Sequence, residues 1–200
     1  MNLPNKITLS RIFMIPIFVA IFFLTMIPGN YIIAAIIFAL ASCTDFIDGH
    51  IARSRGLVTN LGKFLDPIAD KVLVSTAMLL LLTMKETLFA TLGGLVDVVY
   101  VTATVCICII MARELIISAF RQIAAANGIV MAAEKLGKYK TACQDVAICI
   151  LIFAAGITGT FGLVLTWVGF GLFAVATILT VWSGIAYVVK NKQVLQDKKD

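Results

Sequence analysis

The sequence predicts an all-α integral membrane protein with six transmembrane helices, both termini in the cytoplasm and a short N-terminal interfacial segment. Its 200 residues are 61% hydrophobic and 14% charged, with a mean hydropathy of +1.04, and a soluble domain of this size would carry far more charge. Several apolar runs approach the length that crosses a hydrocarbon core of about 30 Å. These runs are solid rather than alternating, which favours helices over a β-barrel.

The predicted spans are separated by short breaks at glycine, proline or charged residues. Pro28-Gly29-Asn30 is typical of a tight turn, Lys85-Glu86 and Gly93-Gly94 interrupt the chain before the fourth span, and the segment Gly156–Gly162 precedes the last. No repeat or long linker divides the chain, so residues 1–200 are predicted to form a single domain. The spans are Thr8–Ile27, Tyr31–Asp48, Leu65–Met84, Asp97–Ala124, Thr141–Gly156 and Leu163–Val189.

Basic residues orient the predicted helices. Of the 16 Lys and Arg residues, only Lys85 falls on one side of the spans. The positive-inside rule places the other side in the cytoplasm. Orientation and anionic lipid account for the net charge of +5, so no nucleic-acid partner is predicted. The cytoplasmic set is Lys6, Arg11, Arg53, Arg55, Lys63, Lys71, Arg113, Arg121, Lys135, Lys138, Lys140, Lys190, Lys192, Lys198 and Lys199.

Four aspartates stand at the cytoplasmic ends of the second and third spans. Asp45 and Asp48 are three residues apart and Asp66 and Asp70 are four apart, so each pair shares one face of its helix. Four converging carboxylates cannot all stay ionised at low dielectric without a cation. Ligands that are all oxygen favour Mg²⁺ or Mn²⁺.

The residues between the two pairs are suited to binding a phosphorylated ligand. Gly49 is suited to end the second helix and Pro67 to begin the third, so the pairs are expected to face each other across a short loop. Gly49, Ala52 and Gly62 leave room for a ligand close to the backbone, and Arg53 is a donor fork suited to phosphate. Carboxylates, a divalent metal and an arginine together are typical of phosphoryl transfer.

The four acids also fit two alternative hypotheses. They could be solvated helix-end acids paired with neighbouring cations such as Arg53, Arg55, Lys63 and Lys71. They could also belong to a divalent-cation transporter, although a transporter would place acids near mid-membrane rather than at the cytoplasmic edge.

The motif resembles the signature of the CDP-alcohol phosphatidyltransferases. It runs D-x-x-D-G-x-x-A-R, eight residues, then G-x-x-x-D-x-x-x-D, and it matches at every defined position from Asp45 to Asp70. The stretches "MNLPNKITLSRIFMIPIFV", "ADKVLVSTAMLLL" and "ARELIISAFRQIAAANGIVMAAEKLGKYKTACQDVAI" are similar to bacterial members whose substrates are CDP-diacylglycerol and sn-glycerol 3-phosphate.

The resemblance implies roles for these residues and for the chain as a whole. It makes Asp45, Asp48, Asp66 and Asp70 the metal-binding set, around two ions, with Asp70 as base or as orienting group for the acceptor hydroxyl. It implies that Gly49, Ala52, Arg53 and Gly62 surround the cytidine diphosphate of the donor. It also implies a homodimer in a bacterial cytoplasmic membrane, with its active site facing the cytoplasm.

Two further groups of residues are predicted to touch the substrates. Arg113 and Arg121 are eight residues apart within an apolar stretch, which places them broadly on the same side of a helix. A buried arginine needs an anion such as the phosphate of glycerol 3-phosphate. Lys138 and Lys140 are candidates for the same phosphate. The alternative that the protein is another member of the same family, with inositol phosphate, serine or phosphatidylglycerol as its acceptor, stays open. The N-terminal segment resembles an arm that lies near the nucleotide in the family, which makes Asn5, Thr8 and Arg11 candidate neighbours of the donor.

Overall fold

Within the residues described below, the structure is a bundle of six α-helices in the predicted order. A computed structural model describes the backbone of residues 3–54, 60–126 and 135–192, and the side chains of residues 8–44, 65, 68–125 and 136–192. No strand occurs in these backbone ranges. The helices are α1 (Leu3–Phe23), α2 (Asn30–Ser54), α3 (Asn60–Leu82), α4 (Val96–Ala126), α5 (Lys135–Ala155) and α6 (Gly159–Lys190), with a 3₁₀ helix (Phe89–Leu95) before α4.

The connection between α1 and α2 is the predicted tight turn. Gly29 has a φ of +74°, a left-handed conformation that other residues rarely adopt. Asn30 begins α2, and its side-chain Nδ2 donates a hydrogen bond of 2.8 Å to the carbonyl oxygen of Phe22. This buried bond ties the end of α1 to the start of α2, and α1 ends at Phe23 rather than at Ile27.

Two of the local predictions about helix ends were wrong. Gly49 does not end α2, which continues to Ser54, and Pro67 does not begin α3, which starts at Asn60. A glycine costs a helix only about 1 kcal/mol, and local preference is easily overridden by packing. Both aspartate pairs therefore lie within helices, whereas we expected them at the helix ends.

Packing of the helices produces an apolar interior and an apolar exterior. The helix α1 packs on α2 and α3, α2 on α5, and α6 on both α4 and α5. Phe18, Phe38 and Leu151 are among the fully buried side chains, whereas Leu115 and Trp182 are largely exposed. An exposed apolar surface of this kind is expected of a protein surrounded by lipid.

Within the part of the chain that the structure describes, the helical stretches Phe89–Ala125 and Gly159–Lys190 are long and apolar enough to cross a membrane. The helical stretches Thr8–Phe23 and Asn30–Thr44 are apolar but shorter. The structure is therefore consistent with a membrane protein. The six spans and the cytoplasmic position of both termini stay predictions.

The two ends of the bundle differ in charge. Lys85, the basic residue predicted to lie on the outer side, has its Nζ 2.9 Å from Oδ1 of Asp97 at the start of α4. The hydrogen bond that Lys85 donates to Asp97 and the charge of that carboxylate raise the pKa of Lys85. Described basic side chains from α3, α4 and α5 make their contacts at the opposite end. This segregation agrees with the predicted charge asymmetry.

We predict that Gly169→Ala destabilises the bundle, because α5 approaches α6 at this glycine. An added Cβ would lie 2.7 Å from Cγ and from Cδ2 of Leu151, which is fully buried. The overpacking should cost about 1–3 kcal/mol, measured as a lower midpoint of thermal unfolding in detergent. Gly171→Ala on the same helix is the matched control, because its Cβ would meet nothing within 4 Å. Equal melting of the two variants would contradict the described approach of α5 to α6.

Candidate functional site

A carboxylate shared by two cations lies where α4 meets α5. Glu114 accepts a hydrogen bond of 3.1 Å from Nη1 of Arg113 and another from Nζ of Lys140. The side chain of Lys140 is only 5% exposed and that of Arg113 17% exposed. A buried charge is stable only when it is paired, so Glu114 fixes the positions of both cations.

A second chain of hydrogen bonds joins α3 to the same point on α4. Nζ of Lys71 donates to Oγ of Ser118, and this hydroxyl donates a 2.5 Å hydrogen bond to the backbone carbonyl of Glu114. Lys71 follows Asp70 in the chain, and Asp70 lies close enough to Lys140 for their charges to interact. The predicted catalytic aspartate is therefore next in the chain to Lys71, which belongs with Arg113 and Lys140 to the cation cluster around Glu114.

Arg113 also reaches α6. Its Nη2 donates a 3.1 Å hydrogen bond to Oγ of Ser183, and the Ser183 hydroxyl in turn donates to the carbonyl oxygen of Thr180 at 3.2 Å. The guanidinium is thus held from two directions, by the carboxylate of Glu114 and by the hydroxyl of Ser183. Side chains of α3, α4, α5 and α6 all contribute to the cluster.

Arg121 lies on the same side of α4 as Arg113, as the eight-residue spacing predicted. Its Nε donates a 3.2 Å hydrogen bond to Oη of Tyr187, and its guanidinium carbon lies 5.3 Å from the centre of the Tyr187 ring. Eight residues correspond to about 12 Å along a helix, so Arg121 lies about 12 Å from Arg113 along α4. The side chains of Arg121 and Lys138 are both exposed. Of the four predicted phosphate ligands, the described contacts therefore bring together Arg113 and Lys140.

The four predicted metal ligands are divided between two helices. Asp45 and Asp48 lie on α2, and Asp66 and Asp70 lie on α3. Asp70 is half-buried, whereas the side chains of the other three lie outside the described residues, so the predicted metal site is not tested. Gly49, Ala52, Arg53, Gly62 and Asn5, predicted to lie near the donor, also belong to that undescribed set.

Thr8 and Arg11 are the two predicted donor neighbours that the structure describes. They are three residues apart on α1, and each is 1% exposed. The helix α1 packs against both α2 and α3, the helices that carry the four aspartates. A buried arginine at the polar end of an apolar helix requires anionic partners, which is consistent with a place beside the acids.

Sequence reasoning missed the contributions of α6 and of the two serines. Ser183 and Tyr187 are 70 and 66 residues away from the arginines that they contact, and no local pattern links such distant positions. Ser118 could have been found, because it follows Glu114 by four residues and so lies one turn away on the same face. From the sequence, Lys71 was predicted to be a cytoplasmic basic residue, and only the alternative hypothesis of solvated helix-end acids paired it with those acids.

Comparison with known proteins shows similarity along nearly the entire chain. Residues 1–189 match the family described as CDP-alcohol phosphatidyltransferase. The chain is 36% identical to the CDP-diacylglycerol--glycerol-3-phosphate 3-phosphatidyltransferase of Bacillus subtilis (strain 168), with 98% of this chain and 97% of that protein aligned. It is 37% identical to the proteins of the same name from Escherichia coli (strain K12) and Shigella flexneri serotype 5b (strain 8401), with 98% of each chain aligned.

We predict that Glu114 and Lys140 are energetically coupled. Glu114→Gln should leave a buried ammonium without its carboxylate, and Lys140→Gln should leave a carboxylate with one cation fewer. Each single variant should lose about 1–3 kcal/mol of stability. The double variant should lose less than the sum of the two.

Thermal unfolding of the four proteins in detergent measures this coupling. Lys138→Gln, two residues from Lys140 but exposed, is the matched control and should melt like the wild type. Additive losses in the double variant would show that the described ion pair contributes nothing to stability.

Proposed function

The chain belongs to the CDP-alcohol phosphatidyltransferase family, and from that premise we propose that it transfers the phosphatidyl group of CDP-diacylglycerol to sn-glycerol 3-phosphate. The products are phosphatidylglycerophosphate and CMP. The observation that carries this proposal is the 36–37% identity, over nearly the full length of both chains, to relatives named for that reaction. The match at every defined position of the signature, from Asp45 to Asp70, supports the same donor chemistry.

We propose that Asp45, Asp48, Asp66 and Asp70 hold divalent cations, Mg²⁺ or Mn²⁺. The chemistry of the donor set fits these ions, because carboxylate oxygens are the ligands they prefer. Bound there, the cations would neutralise the pyrophosphate of the donor and stabilise the leaving CMP.

The cation cluster is suited to hold the phosphate of the acceptor. Arg113 offers a planar fork of N–H donors and Lys140 a compact point charge, and both are held in place by Glu114. The neighbouring Asp70 is suited to orient the glycerol hydroxyl or to accept its proton. The hydroxyl oxygen then forms a bond to the phosphorus on the lipid side of the donor, and the bond from that phosphorus to the CMP oxygen breaks. Arg121 and Lys138, which are both exposed, would add positive charge for the same phosphate.

The other side of the site is proposed to bind the donor. Gly49, Ala52, Arg53 and Gly62 would surround the cytidine diphosphate portion, and Asn5, Thr8 and Arg11 would approach it from α1. The burial of Thr8 and Arg11 in a helix packed on α2 and α3 supports that arrangement. We further propose that the protein is a homodimer in a bacterial cytoplasmic membrane with its active site towards the cytoplasm.

An acceptor screen tests the proposed reaction. Purified protein in mixed micelles with CDP-diacylglycerol should release CMP when sn-glycerol 3-phosphate is added. Glycerol is the matched control, because it has the same hydroxyl groups without the phosphate that the cations would bind. Serine, inositol phosphate and phosphatidylglycerol complete the screen. Release of CMP with serine and not with glycerol 3-phosphate would overturn the proposed acceptor.

We predict that Asp66→Asn abolishes transfer while the protein stays folded, because it removes a charged ligand of the cations. Turnover should fall by about 100-fold or more. Binding of Mn²⁺, followed by its electron paramagnetic resonance signal, should weaken in parallel. Asp97→Asn is the matched control, since the same change at the opposite end of the bundle removes only the partner of Lys85. Unchanged Mn²⁺ binding in Asp66→Asn would contradict the metal role.

A further inference from the structure

The face of α6 that contacts Arg113 has no charged side chain and no residue of the signature motif. It nevertheless restricts where this arginine can lie. We propose that Ser183 and Gly184 are positioning residues that hold the Arg113 guanidinium in the acceptor-phosphate site. The inference rests on the proposed function, in which Arg113 binds the phosphate of the acceptor. It assigns α6 a part in acceptor recognition that the signature motif does not contain.

Gly184 provides the space in which the stem of Arg113 lies. Gly184 is buried, and a Cβ added to it would lie 3.0 Å from Cγ of Arg113 and 3.1 Å from its Nε. Both distances are shorter than most contacts of a Cβ atom, so the arginine would have to shift by a few tenths of an ångström to make room for an alanine. The stem of Arg113 therefore runs directly over the backbone of α6 at Gly184.

Ser183 fixes the end of the same side chain. Its own hydroxyl proton is committed to the carbonyl oxygen of Thr180, so its oxygen faces the arginine as an acceptor, and Nη2 of Arg113 donates to it at 3.1 Å. Nη1 donates to Glu114. Two of the five guanidinium N–H groups are used in these bonds, so the plane of the fork is fixed while further donors remain for a phosphate.

The contact at Gly184 differs in kind from the contacts of neighbouring glycines in α6. A Cβ on Gly169 would meet the apolar Leu151, and a Cβ on Gly171 would meet nothing within 4 Å. Gly184 is the glycine of α6 that lies against a charged side chain. Arg113 and Lys140 share the carboxylate of Glu114, so these three side chains together carry a net positive charge. The position of the Arg113 guanidinium therefore decides how well a phosphate fits.

Substitution of Gly184 tests the inference on the full-length enzyme in detergent micelles. In Gly184→Ala, displacement of the guanidinium should raise the KM for sn-glycerol 3-phosphate by about five- to tenfold. The KM for CDP-diacylglycerol and the melting temperature should stay at the wild-type values. Gly171→Ala is the matched control on the same helix and should leave all three quantities unchanged.

A double-mutant cycle with Arg113 separates positioning from general packing. In an Arg113→Ala background, the added methyl group has no arginine to displace, so Gly184→Ala should cause no further loss of kcat/KM for glycerol 3-phosphate. Ser183→Ala, which removes one hydrogen bond without adding bulk, should behave in the same way with a smaller effect. Should Gly184→Ala fail to fold, the cycle of Ser183→Ala with Arg113→Ala decides the question.

Different results would overturn the inference and the proposed function. Equal effects of Gly184→Ala in the presence and absence of Arg113, or an equal rise in the KM of both substrates, would overturn the positioning role. An effect no larger than that of Gly171→Ala would overturn it as well. Failure of the wild-type enzyme to release CMP with glycerol 3-phosphate would instead overturn the proposed acceptor.

Discussion

Among the described side chains, the carboxylate of Glu114 is the group on which the other charges at the polar end of the bundle depend. Charged groups inside an apolar helix bundle are stable only when they are partnered, and Glu114 partners both Arg113 and Lys140. The backbone carbonyl of the same residue receives the hydroxyl of Ser118, to which Lys71 donates. Three cations from three helices are therefore arranged around a single residue of α4. If Glu114 were apolar, Arg113 and Lys140 would both lose the carboxylate that balances their charge.

The helix α3 connects this cluster to the predicted donor site. Asp70 and Lys71 are adjacent in the chain, and adjacent residues on an α-helix project about 100° apart. Lys71 contacts α4 through Ser118, whereas Asp70 belongs with Asp66 to the signature motif. One turn of α3 thus contributes to both halves of the proposed reaction. In the proposed site, the acid that would orient the acceptor hydroxyl is thus next in the chain to Lys71 of the cation cluster.

The parts of the structure that follow local rules were predictable from the sequence. The six helices, the turn at Gly29 and the shared side of Arg113 and Arg121 follow from apolar runs, a glycine and helical spacing. The ends of α2 and α3 were not predictable, because Gly49 and Pro67 lie inside helices despite their local preferences, and such preferences are only a weak guide. The contact of Arg113 with Ser183 spans 70 residues, and only the tertiary fold brings these positions together.

The charge of the cluster gives a physical reason for a phosphorylated acceptor. Among the described side chains, Lys71, Arg113 and Lys140 lie around the carboxylate of Glu114, and Asp70 would be engaged with the metal ions in the proposed site. In that arrangement the cluster would carry two more positive than negative charges, and a phosphate monoester carries nearly two negative charges at neutral pH. A neutral alcohol or a zwitterion such as serine would leave those charges unmatched in a low-dielectric setting, where an unmatched charge is costly. The acceptor would thus complete an ion network that the protein alone leaves unbalanced, and discrimination among alcohols would follow from this balance.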